Sequence, residues 1–124
     1  IWLKCPLILK RDRGVGLSVV VPRRRNQGLH DRCIQRLAQG LSFEGWSIEA
    51  HVSGWLKPPY INEFIPDVRA RKGEATRIIE VETEDTLSVN EPQHRTFQRY
   101  AAENPGTTFL LYLAREDGTC MLIR

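Results

Sequence analysis

The chain has 124 residues, enough for one domain of ordinary size, and 41% apolar with 27% charged residues is typical of a globular protein. Its formal charge of +3 allows a polyanionic partner without requiring one. No apolar run approaches the ~20 residues needed to span a bilayer and nothing resembles a signal peptide, so we expect a cytoplasmic protein with no membrane partner.

Residues 1–28 are predicted to form an N-terminal extension. Two apolar runs, 1–9 and 15–21, are joined by a charged turn, which predicts a strand hairpin. Residues 22–28 then form a basic linker. The core domain is predicted to cover residues 29–124.

Hydrophobic periodicity predicts the elements of this core in chain order. A helix over 29–43 ends before Gly45, and a strand covers 46–53. Two hairpin arms follow at 60–71 and 75–84. Ser88 and Asn90 are both candidate N-caps for a second helix that continues to about residue 103, and Ser88 to Glu91 fits a capping box. Strands over 107–114 and 119–123 complete an α/β order.

The three cysteines are far apart and odd in number: Cys5, Cys33 and Cys120. Their spacing does not suggest a zinc site or a disulfide framework. We expect buried free thiols in a reducing compartment.

The most informative feature is the hairpin centred near Gly73, whose glycine can adopt the positive φ of a tight reversal. This centre places Asp67 opposite Glu80. Opposed Cβ atoms lie about 5 Å apart, and Glu80 and Glu82 share a face about 7 Å apart. Like charges this close destabilise a fold unless a cation lies among them. The pattern therefore predicts a divalent metal site.

The alternative is a solvated acidic face paired to arginines, namely Arg69, Arg71 or Arg77. Against it, Ile65 is in register with Asp67, and Ile78 is in register with Glu80 and Glu82. That face is partly apolar, as the wall of a cleft would be. The other face is predicted to supply core through Phe64, Val68, Ala70, Ile79 and Val81.

The element order from residue 29 to 114, together with Pro66-Asp67 and Glu80-Val81-Glu82, resembles the PD-(D/E)XK nuclease superfamily. This superfamily includes many restriction enzymes and the archaeal Holliday-junction resolvases. The resemblance implies a restriction endonuclease-like central mixed β-sheet flanked by helices. It also implies metal-dependent hydrolysis of phosphodiester bonds in a nucleic acid, which we expect to be DNA. Residues 1–28 have no counterpart in it.

Carried over to this chain, the resemblance implies that Asp67 and Glu80 hold Mg²⁺ or Mn²⁺, helped by the backbone carbonyl of Val81. Glu82 stands where the family usually has a lysine that activates the attacking water. A minority of related nucleases have Glu there and remain active. Glu82 is then a catalytic residue with Asp67 and Glu80, by holding a second ion or by accepting a proton from water. We expect Glu82→Lys to keep the fold.

The resemblance also indicates auxiliary polar residues. One comes from the second helix, where Gln93, His94 and Gln98 are candidates. Another is His30 near the start of the first helix. Each histidine, including His51, has a structural or solvent-exposed alternative.

Five arginines are candidate nucleic-acid contacts: Arg23, Arg24 and Arg25 of the linker, and Arg95 and Arg99, one turn apart on the second helix. The linker arginines have a solvated alternative. For the helix arginines the alternative is salt bridges to Glu91 and Glu103.

A metal-dependent nuclease is the leading hypothesis. The alternatives are a catalytically inactive nucleic-acid-binding module of the same fold and a structural or protein-interaction domain. The resemblance further implies a homodimer or a protein partner, because small domains of this superfamily often act in that way.

Overall fold

The computed structural model describes residues 26–124, so the predicted N-terminal hairpin and the linker arginines lie outside the described residues. The described part has seven elements: α1 (Gln27–Phe43), β1 (Ser47–Ala50), β2 (Val68–Lys72), β3 (Ala75–Glu82), α2 (Glu91–Glu103), β4 (Thr107–Ala114) and β5 (Cys120–Leu122). The predicted α/β order is confirmed. Within residues 26–124 neither helix is both long and apolar enough to cross a lipid bilayer.

The five strands form one open sheet in sequential order from β1 to β5. β3 and β4 are parallel, whereas the other neighbouring pairs are antiparallel. A parallel pair needs a long crossover, and α2 supplies it. The sheet is therefore mixed, as the resemblance implies.

α1 packs on one face of the sheet because its apolar residues recur every three or four positions. Its buried side chains meet alternate residues of the strands in one core. The buried members are Cys33, Ile34, Ala38, Leu41, Ala50, Val68, Ala70, Ile79, Val81 and Ala114. This confirms the prediction that Val68, Ala70, Ile79 and Val81 supply core.

α2 packs on the opposite face, where Ile61, Ile78 and Phe97 are buried together. Phe64 joins this cluster and meets Phe97 edge to face at 6.3 Å between ring centroids. The prediction that Phe64 lies on the other face is wrong. It assumed a strand from residue 60, but the chain up to Asp67 is a loop pinned by a bridge between Ile61 and Phe64.

The β2–β3 hairpin follows the predicted register. Gly73 has φ 59°, and Lys72 pairs with Ala75 at the turn. Val68 pairs with Ile79 at the other end of the ladder. Asp67, one residue before β2, therefore lies opposite Glu80.

The predicted capping box at the start of α2 is wrong. Asn90 is the N-cap residue, and no side chain caps the helix. The Asn90 amide instead donates to the carboxylate of Glu82, 2.9 Å from Oε1. A buried carboxylate without donors costs more than an uncapped helix end, which explains the preference.

Cys33 of α1 and Cys120 of β5 are joined by a disulfide with a Cα–Cα distance of 5.8 Å. The expectation of free thiols is wrong for these two residues, which are separated by 87 positions. Cys5 lies outside the described residues.

Candidate metal and catalytic site

Asp67 and Glu80 are joined by a hydrogen bond at the end of the hairpin. The backbone N–H of Asp67 donates to Glu80 Oε2 at 2.8 Å, and Asp67 Oδ2 accepts from the backbone N–H of Val81 at 2.8 Å. Asp67 is 9% exposed and Glu80 is 1% exposed. The two carboxylates that the sequence pairs are thus neighbours, and both are buried.

Glu82 lies one pleat further along β3 and is also buried. Its oxygens accept hydrogen bonds from Thr86 Oγ1 at 2.6 Å and from Asn90 Nδ2 at 2.9 and 3.0 Å. His94 Nε2 is 2.8 Å from Glu82 Oε2. The segment after β3 and the first turn of α2 therefore close over this carboxylate.

Within residues 26–124, Glu80, Glu82 and His94 form a group whose ligand atoms lie within 4.8 Å of one another. Asp67 is not part of that group, although it touches Glu80. Carboxylate oxygens suit Mg²⁺, and an added imidazole nitrogen suits Mn²⁺ and later transition metals. The structure thus brings in a histidine that the resemblance offered only as an auxiliary candidate.

α2 supplies a second contact to Glu80. Gln93 Nε2 donates to Glu80 Oε1 at 2.6 Å. Of the three predicted auxiliary candidates on this helix, Gln93 and His94 reach the carboxylates and Gln98 is exposed. Helical geometry explains this, because residues three and four apart share a face and that face also carries Phe97 into the core.

His30 of α1 approaches Asp67 from the other side. Its Nε2 is 3.3 Å from Asp67 Oδ2, and its Nδ1 is 2.9 Å from Asp31 Oδ1. Burial raises the pKa of Asp31, but hydrogen bonds from His30 and Gln27 outweigh this and leave the pKa below its ordinary value. His51, in contrast, contacts Asp67 through its backbone N–H, and burial lowers the pKa of its side chain.

Two arginines of the hairpin contact residues outside the acidic group. Arg69 Nε is 2.6 Å from Glu49 Oε1, and the Arg77 guanidinium lies 4.4 Å from the centroid of the Trp46 ring. Arg71 is exposed. These contacts differ from the alternative in which the arginines pair with the acidic face.

Arg95 and Arg99 are exposed on α2, and neither forms an ion pair with another residue of 26–124. Glu91 instead lies 3.5 Å from Arg124 Nη2. The alternative, salt bridges from these arginines to Glu91 and Glu103, is therefore absent among residues 26–124.

Sequence reasoning missed Thr86, Asn90 and Asp31 as contributors to the site. The sequence did contain a signal for Asn90: it shares one helical face with Gln93, His94 and Phe97. Polar residues at the inward positions of an amphipathic helix indicate buried polar partners.

Comparison with protein-family models finds no match, and comparison with curated proteins finds none either.

Proposed function

We propose that this chain is a metal-dependent nuclease that hydrolyses phosphodiester bonds, with DNA as its expected substrate. The fold is then the restriction endonuclease-like version of the mixed α/β sheet. The observation that supports the proposal is the contact between Asp67 and Glu80. Glu80 in turn lies in one group with Glu82 of β3 and His94 of α2. Burying three carboxylates at the end of one hairpin costs free energy unless they bind a positively charged partner.

The residues fit a divalent cation by their donor chemistry. Glu80, Glu82 and His94 present two carboxylates and one imidazole. Asp67 and the carbonyl of Val81 complete the set that the resemblance implies. This mixture of oxygen and nitrogen donors accepts Mg²⁺ and favours Mn²⁺.

The chain's own residues hold these donors in place. Gln93 and the backbone of Asp67 fix the two oxygens of Glu80. A bound divalent ion would supply Lewis-acid stabilisation of phosphoryl oxygens and would lower the pKa of its water. Hydrogen bonds from neighbouring groups keep ligating carboxylates in the geometry that such chemistry needs.

Arginines supply the proposed contacts to the nucleic-acid backbone. Arg95 and Arg99 lie on α2, the helix that also supplies Gln93 and His94 to the acidic group. Linker residues Arg23, Arg24 and Arg25 add positive charge in sequence just before α1. Arginine contacts to phosphates give affinity without sequence selectivity.

A second candidate is a catalytically inactive nucleic-acid-binding module of the same fold. The observation that favours it is the closed environment of Glu82, whose oxygens already accept from Thr86, Asn90 and His94. A carboxylate satisfied in this way is stable without a metal ion.

Metal titration tests the proposed site. We expect millimolar Mn²⁺ to raise the melting temperature of the wild-type chain and to leave that of Glu80→Gln unchanged. Glu74→Gln, at an exposed turn position, is the matched control and should respond like wild type. If neither Mn²⁺ nor Mg²⁺ shifts the wild-type melting temperature, the proposed site is wrong.

Cleavage assays then separate the two candidates. Duplex, branched and single-stranded DNA are incubated with each ion and the full chain. Cleavage by wild type that Glu80→Gln abolishes supports the nuclease. Salt-sensitive binding without cleavage supports the inactive module instead.

A further inference from the structure

A chain of polar contacts leads from the surface of α1 to Asp67. Gln27 Nε2 donates to Asp31 Oδ1 at 2.8 Å, and the same oxygen lies 2.9 Å from His30 Nδ1. The other ring nitrogen of His30 faces Asp67 at 3.3 Å. The side chain of Asp31 is 45% exposed, whereas that of His30 is 8% exposed. Only the outer end of this chain of contacts is in water.

The chemistry of Asp31 fixes the orientation of the histidine ring. An ionised carboxylate only accepts hydrogen bonds, so each ring nitrogen of His30 must carry a hydrogen where it bonds a carboxylate: Nδ1 to Asp31 and Nε2 to Asp67. With Nδ1 donating to Asp31, the ring is turned so that Nε2 donates to Asp67. Second partners of this kind set the direction of a histidine ring.

Asp67 needs such support because of its position. It precedes β2 and lies in a bend, so a regular strand does not hold its side chain. Val81 contacts Asp67 Oδ2 from the β3 backbone, and His30 reaches the same oxygen from α1. The carboxylate is thereby held between two elements.

We propose that Asp31 is a positioning residue: it holds the His30 ring, which in turn fixes the Asp67 carboxylate for a bound divalent ion. This inference rests on the proposed metal-dependent function. It assigns a role to a residue that would touch neither the ion nor the substrate. Loss of such an outer partner typically weakens metal affinity by about 10- to 100-fold.

The test is calorimetric titration of Mn²⁺ into the full chain without nucleic acid. We expect Asp31→Asn to bind Mn²⁺ about tenfold more weakly than wild type. The amide keeps the size of the side chain but offers the ring a donor as well as an acceptor. Asp31→Glu retains a carboxylate and should stay within about threefold of wild type, below the roughly 10- to 100-fold losses typical when such an outer partner is removed.

Gln35→Ala is the matched control, because Gln35 is also a partly buried polar residue of α1. It contacts Ser53 and Trp55, away from the acidic group. This variant can lose stability but should keep wild-type Mn²⁺ affinity. If Asp31→Asn does not fold, Gln27→Ala replaces it, and a few-fold weaker affinity is expected because Asp31 keeps only its contact with the ring.

Nitrogen-15 NMR of the histidine rings without metal gives an independent readout. We expect a hydrogen on both ring nitrogens of His30 in wild type and an altered ring pattern in Asp31→Asn. A ring nitrogen of His30 that carries no hydrogen in wild type overturns the inference. So does wild-type Mn²⁺ affinity in Asp31→Asn, and both results leave the proposed function standing. Failure of the wild-type chain to bind Mn²⁺ overturns the proposed function itself, and the inference with it.

Discussion

His94 and Glu82 form a fully enclosed pair, with Nε2 2.8 Å from Oε2 and neither side chain more than 1% exposed. The other ring nitrogen of His94 is buried and has no hydrogen-bond partner among residues 26–124, since Glu91 Oε1 is 3.8 Å away. The carboxylate of Glu82 therefore provides the polar anchor of this ring. The contact ties the first turn of α2 to the end of β3.

This relationship changes the expectation for Glu82→Lys. The substitution would place an ammonium group against donors that now serve a carboxylate, those of Thr86, Asn90 and His94. Leaving such buried donors without their acceptor typically costs about 1–3 kcal/mol for each group. We expect a loss of this size in the free energy of unfolding, measured by guanidinium denaturation, rather than the tolerance that the sequence suggested.

Glu84→Lys is the matched control. Glu84 is two residues further along and exposed, so the same charge change should alter stability by less than about 0.5 kcal/mol. A Glu82→Lys chain as stable as this control would show that the polar contacts around Glu82 do not support the fold.

The disulfide between Cys33 and Cys120 gives a second stability prediction. It closes a long loop and ties α1 to the edge strand β5. Cross-links of this kind typically contribute about 2–4 kcal/mol. We expect Cys33→Ser to lower the unfolding free energy by that amount, and a reductant to have the same effect on wild type.

Cys5→Ser is the control for thiol chemistry. It removes a cysteine that is not in the disulfide, so its stability should still fall on reduction. Equal unfolding midpoints for wild type with and without reductant would contradict the stabilising role of the bridge.

The sequence predicted the hairpin register correctly because two local signals agree. Gly73 permits the turn, and strict alternation places Val68 and Ile79 on the buried face. A slip of one residue would expose that whole face, so register is strongly specified. The opposition of Asp67 and Glu80 follows directly from it.

What the sequence did not predict depends on contacts distant along the chain. Asn90 looks like a helix cap locally, but a carboxylate on a neighbouring strand competes for its amide. Phe64 fits a strand pattern, yet its packing against Phe97 is set by the path of a loop. The spacing of Cys33 and Cys120 carries no information on their proximity.

Glu49 and Arg69 form a pair on neighbouring strands that gives a pH-dependent prediction. The hydrogen bond from Arg69 lowers the pKa of Glu49. A carboxyl group with a lowered pKa stabilises the fold above its unfolded-state pKa, and this contribution is lost as pH falls through the folded-state pKa. Glu49→Gln should therefore cost about 0.5–1 kcal/mol at neutral pH.

The difference between wild type and Glu49→Gln should shrink below about pH 4.3, the ordinary glutamate value. Urea denaturation across acidic pH measures it. Glu74→Gln at the exposed hairpin turn is the comparison. If the stability difference between wild type and Glu49→Gln grows towards low pH, the Glu49–Arg69 ion pair does not stabilise the fold in the way proposed.

The proposed nucleic-acid affinity should depend on the linker arginines, because positive charge is unevenly distributed along the chain. Residues 1–25 contain seven Lys and Arg but one acidic residue, whereas acidic residues outnumber basic ones in 26–124. Each phosphate contact contributes about 0.9 to the slope of log affinity against log salt. Replacing Arg23, Arg24 and Arg25 by Ala should reduce that slope by up to about 3.

Fluorescence anisotropy with duplex DNA in chelator, over a series of salt concentrations, measures this slope without cleavage. Arg95→Ala combined with Arg99→Ala tests α2 in the same way and should reduce the slope by up to about 2. Arg36→Ala is the control, since Arg36 donates to the carbonyl of Gly118. If all variants share the wild-type slope, the arginines are solvated charges, and any nucleic acid would have to approach the acidic group by another surface.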